Sequence, residues 1–132
     1  MGSISQYLGQ ALLNHTFRNV TNTPPTNVYL ALYTSNPGDT NTGTEVSGDT
    51  YLRQEITFGA ATTVSGKETI KNTLDILFPA AGVSWGTITH IGVMDAQTAG
   101  HLLYYGELPS SKAIGVGDQF KIVANNLVLD ID

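Results

Sequence analysis

The chain has 132 residues, 41% of them hydrophobic and 13% charged, with no cysteine and a formal net charge of -5. That is the size of one domain, 1–132, able to hold a core without disulfide or metal staples. Eleven acidic against six basic side chains, with no basic patch, exclude a general nucleic-acid or anionic-membrane binder.

Ser3 to Phe17 carries the helical signal: Ile4, Leu8, Ala11, Leu12 and His15 recur at three- and four-residue steps along one stripe. Ser3, with Gln6 three residues on, predicts a capping-box start. Gly9 weakens the intrinsic propensity, so the helix depends on docking its stripe. If that face is buried, Leu12→Ala costs about 2–5 kcal/mol. Pro24-Pro25 then enforces extended backbone.

From there the period is two. Asn27 to Thr34 reads as a strand with Val28, Leu30 and Leu32 on one face and Tyr29, Ala31 and Tyr33 on the other. Both faces are apolar, which predicts cover from an opposing sheet and from the helix or a neighbouring subunit. Ser35 to Thr50 is a turn-rich loop. Tyr51 to Phe58 alternates Leu52, Gln54, Ile56 and Phe58 against Tyr51, Arg53, Glu55 and Thr57, as a half-buried strand does. Thr69 to Phe78 points Ile70, Leu74, Ile76 and Phe78 inward, with Asn72 interrupting the apolar face. Thr87–Met94, Leu102–Leu108, Gln119–Val123 and Leu127–Ile131 follow as strands, separated by Asp95–Gly100, Ser110-Ser111-Lys112 and Asn125-Asn126. Seven or eight short strands predict a mainly β fold, an antiparallel β-sandwich with one N-terminal helix. Jelly-roll-like and immunoglobulin-like orders both stay open.

No apolar run approaches the roughly 18 residues of a membrane span, and the N-terminus lacks the basic and apolar regions of a secretory leader. A soluble, unexported product with no membrane partner is the expectation.

Catalytic patterns are sparse. His15, His90 and His101 have no ligand-type spacing, and a Ser84, His90, Asp95 triad is nominated by composition alone. Gly115-Val116-Gly117-Asp118 opens no helix that could receive a phosphate and reads as a hairpin-type turn. Asp39, Asn41 and Glu45 stand at alternate positions as in a calcium loop. Thr50 occupies the twelfth position, where a bidentate Glu belongs, so a solvated loop is the expectation. No enzyme activity, cofactor or resident metal is expected. Trp85-Gly86 suggests a ring pinned over one end of the sandwich, and Asp95, Thr98 and Gly100 read as turn-forming.

Several stretches carry a recognisable pattern. They are Leu12–Asn19, Pro25–Thr34, Gly43–Gly48, Tyr51–Gln54, Phe78-Pro79, Trp85–Gly92, Asp95–Gly100 and Gly117–Phe120. In that order, over nearly the whole chain, they resemble a family of small tailed-bacteriophage virion proteins usually labelled tail-fibre or minor structural proteins. The resemblance implies a virion location after synthesis in the bacterial host cytoplasm, with major capsid or tail proteins as partners. It brings no catalytic residues.

Two virion roles compete. A fibre normally needs a shaft or heptad stretch, which this chain lacks, whereas capsid decoration needs only a compact module with one complementary patch. Decoration that cements the shell from outside is therefore the leading expectation, with a tail-fibre, minor tail or baseplate part in host attachment as the alternative. A carbohydrate-binding module, using Tyr51, Tyr104, Tyr105 and Trp85, is the alternative of another class. The expected packing and interface residues are Ile4, Leu8, Leu12, Tyr29, Tyr33 and Trp85. The two apolar faces of Asn27–Thr34 and the low charge density also predict a homo-oligomer.

Overall fold

A computed structural model describes residues 2–131. It contains β1 (Ser3–Ile4), α1 (Gln6–Arg18), β2 (Val28–Tyr33), β3 (Gln54–Ile56), β4 (Thr62–Val64) and β5 (Lys67–Lys71). β6 (Ile76–Leu77), β7 (Gly86–Met94), β8 (Leu102–Ile114), β9 (Lys121–Ile122) and β10 (Val128–Ile131) follow. The fold is mainly β and antiparallel throughout, with a single short N-terminal helix. Ten strands, rather than seven or eight, form a five-stranded sheet β1-β8-β7-β2-β3, a three-stranded sheet β10-β5-β4 and the pair β6-β9.

The main core lies on one face of the large sheet. Leu30 and Leu32 of β2, Ile88, Ile91 and Val93 of β7, and Tyr104 of β8 meet Ile76, Phe78, Phe120 and Leu127 from the smaller sheets and their connections. Aromatic edges hold its centre: Phe78 meets Phe120 and Trp85 edge-on, and Trp85 meets Tyr51 at 5.5 Å between ring centroids.

The opposite face of β2 is also covered, from within the chain. Ala31 and Tyr33 pack with Met94 and Leu102, and the 35–44 loop folds back over them. In that loop Pro37 is fully buried, and Asn41 Oδ1 accepts the Tyr33 hydroxyl at 2.8 Å. Ala31 is fully buried and Tyr33 is 1% exposed, so these two residues of the face are covered by the chain itself, while Tyr29 stays half-buried. Gly92 makes the close packing possible, since a Cβ there would stand 2.7 Å from Leu102 Cδ1 and 2.9 Å from Tyr33 Cε1.

Three local expectations change. The helix starts at Gln6, capped by Ser5, because Ser3 and Ile4 pair with Tyr105 and Tyr104 and so satisfy their backbone in a ladder. Ser110-Ser111-Lys112 does not separate strands but lies inside β8. Five residue steps on β8 (Glu107 to Lys112) oppose two on β7 (His90 to Ile88), leaving a bulge that accommodates Pro109. The long Thr69–Phe78 alternation breaks at Asn72, which is fully buried, while Leu74 is 62% exposed. Asn72 donates Nδ2 to the Leu74 and Val123 carbonyls and accepts the Leu127 N–H, so its side chain replaces the missing ladder bonds.

Candidate functional site

The most apolar concavity is a groove of ≈ 330 Å³ between the N-terminal segment and the three-stranded sheet. Ile4, Leu8 and Leu12 line it as one wall from the N-terminal segment and Leu129 and Ile131 as another from β10, with Val28, Phe58, Glu68 and Asp130 also among the lining residues. The wall is positioned by the junction before the helix. Buried Ser5 accepts the Leu8 N–H on Oγ at 3.1 Å, its own N–H donates to Leu103 O, and the Gln6 N–H donates to Asp39 O. A second clamp is aromatic: Tyr7 stacks on His101 with centroids 3.9 Å apart, and His101 is paired with Asp95. The groove presents aliphatic and aromatic walls, which suits it to burying apolar side chains rather than to polarising a bond.

Among the described residues, no residue of α1 is fully buried. Leu8 and Leu12 face the groove, whereas Leu13 and Phe17 are 60% and 77% exposed. Leu8 and Phe17 are nine residues apart, about two and a half turns, and so lie on opposite sides of the helix. The helix therefore has two apolar stripes, and the sequence pattern brought out only one.

A polar hub lies beside β2, where Glu45 forms a backbone bridge with Tyr33. Arg53 is 8% exposed and binds both oxygens of Glu45, Nε to Oε2 and Nη2 to Oε1, each at 2.8 Å. Its Nη1 donates to Ala96 O at 2.9 Å and Ala99 O at 2.7 Å, holding the 95–100 turn from beneath. Tyr51 donates to Glu45 Oε2 and accepts the Leu32 N–H. Burial, reinforced by the Glu45 carboxylate, pushes the Tyr33 phenol up to about 12 and raises Tyr51 further. The Glu45 hydrogen bonds raise the Arg53 guanidinium. Each group is satisfied by another of the hub, which makes it a structural rivet for the turn. The alternating pattern placed Arg53 and Tyr51 on the polar side of a strand, and no local signal marked them as buried.

The remaining candidates are dispersed. Glu45 is committed to Arg53 and Asn41 to Tyr33, while Asp39 is exposed, so the three calcium-loop oxygens do not converge. His90 bonds Thr89, Ser84 bonds the Ile114 carbonyl, and Asp95 serves His101, so the nominated triad is not assembled. Among the described residues no three His, Asp or Glu side chains are grouped to hold a metal ion. Trp85 and Tyr33 are core residues rather than interface residues, and Tyr29 is half-buried. Tyr104 is buried, Tyr51 is half-buried in the hub and Trp85 in the core, so these aromatics build no exposed sugar platform. Gly117 and Asp118 form a turn closed onto Gly115 and Ala81, leading into β9 rather than joining two paired strands. Gly100 takes φ 76°, as the turn reading expected.

Residues 3–130 match the model of a family described as "Podophage GP4 fiber I protein gp80". No curated protein matches the chain.

Proposed function

The chain belongs to the podophage GP4 fiber I protein family, a virion structural family, and from that premise we propose that it is a structural subunit of a tail fibre. The family match over residues 3–130 carries the reading. It favours the fibre over capsid decoration. The geometry supports a part that works by contact and without turnover: a groove with apolar walls, a helix with an unpartnered apolar stripe, and polar residues spent on holding turns. Its partners are then other virion proteins, and its place is the outside of the particle.

The test is to label intact virions with antibody against this chain and to delete its gene. Label on tail appendages, with lost host adsorption and unchanged thermal DNA release, is the expected outcome. Label spread over the shell, with earlier DNA release on heating, would refute the fibre reading in favour of decoration, because a shell clamp stabilises only the intact particle.

A further inference from the structure

We infer that the apolar groove receives the outer stripe of α1, Leu13 and Phe17, from a second copy of this chain. The inference takes its setting from the fibre reading but rests on geometry within one molecule. Leu13 and Phe17 cannot reach their own groove, because the same helix turns Leu8 and Leu12 toward it and the two stripes lie on opposite sides. Each molecule thus carries an apolar stripe and an apolar groove that it cannot bring together itself.

Charge selects the same occupant. Residues 1–38 contain one formally charged side chain, Arg18, and no carboxylate, so the remaining residues carry -5 - 1 = -6. Arg18 follows Phe17 directly and gives one Nη1 bond to Asn14 among its five donors. Glu68 lines the groove, exposed, with its oxygens accepting the Thr63 hydroxyl. Seating Phe17 in the groove carries a guanidinium to a carboxylate rim, an amphipathic helix laid into a groove. Stripe and groove are different surfaces, so the contact is heterologous. Each added copy leaves one stripe and one groove open, and the assembly propagates unless its rotation closes it.

Sedimentation and light scattering of the full chain test this. The wild type is expected to gain mass beyond a dimer as concentration rises. Phe17→Ser, at a position 77% exposed, should weaken association at least about tenfold while leaving the circular dichroism unchanged. Ile131→Glu, on the groove wall and 51% exposed, should do the same. An equal mixture of the two variants restores one good contact per pair and should stop at a dimer. Arg18→Glu should weaken association about two- to five-fold, and Glu68→Arg on the receiving copy should recover it.

Wild type that stays monomeric at high concentration overturns the inference, even where virion labelling upholds the fibre reading. An Ile131→Glu variant that associates like wild type also overturns it, since stripe would then pair with stripe. So does a monomeric wild type whose groove variant is lost from virions, which would give the groove to another virion protein. Association that behaves as expected, with label on the shell, refutes the fibre reading alone.

Discussion

Replacing Arg53 by Met should destabilise the fold by about 2–4 kcal/mol. The substitution keeps an apolar stem but deletes four hydrogen bonds of 2.7–2.9 Å, two to Glu45 and two to the Ala96 and Ala99 carbonyls. Exposed ion pairs contribute about 0.2–1 kcal/mol, whereas stripping one partner from a buried pair costs about 3–5 kcal/mol. The Glu45 side chain is 25% exposed and keeps the Tyr51 hydroxyl, which places the expected loss between those limits. For a chain of this length that lowers Tm by about 6–15 °C. Urea unfolding followed by fluorescence of Trp85, the sole tryptophan and a buried one, reads the change directly. Glu45→Gln and the double variant complete a cycle whose coupling should reach at least about 1 kcal/mol. Amide exchange in residues 96–101 should quicken in Arg53→Met, because the turn loses its two carbonyl anchors. A loss below about 0.5 kcal/mol with unchanged exchange would show that solvent screens the hub like a surface pair, and would refute the rivet.

Other outcomes follow from single residues. Asn72→Ala leaves two carbonyls and the Leu127 N–H without their buried partner and should cost about 2–4 kcal/mol by urea titration. Gly92→Ala forces a methyl against Leu102 and Tyr33 and should cost about 1–3 kcal/mol in the same assay. Leu12→Ala, at 37% exposure, should cost about 1–2 kcal/mol, toward or below the bottom of the range that a buried stripe predicts. Tyr33 titrates higher folded, about 12, than its ordinary 10.0, so above pH 10 the unfolded chain releases its proton first. Stability should therefore hold below that pH and fall as pH rises toward 12. Tyr33→Phe should lessen that slope in alkaline urea titrations, leaving the share that the still more strongly raised Tyr51 contributes, and an unchanged slope would remove Tyr33 as one of its sources.

The sequence by itself determined the mainly β class, the single N-terminal helix, and the two apolar faces of β2, because period-two and period-3.6 patterns report which side of an element is apolar. The ordered motifs along the chain also led to the right virion family. Ile4, Leu8 and Leu12 were legible as one contact surface, and the structure brings them together on the groove wall. Only the tertiary structure showed what that wall faces, since Leu129 and Ile131 arrive from the far end of the chain. The same holds for the hub. Glu45, Arg53 and the Ala96 and Ala99 carbonyls are up to 54 positions apart in sequence, so no local period could show that a strand-side arginine is buried. At Asn72 and in β8 the alternation misled for a common reason. A side chain can supply ladder bonds where the strand breaks, and a bulge can absorb Pro109 where composition reads a turn. Pattern reveals which face a residue prefers, whereas pairing partners and helix docking are long-range choices, settled only when the whole chain has closed on its core.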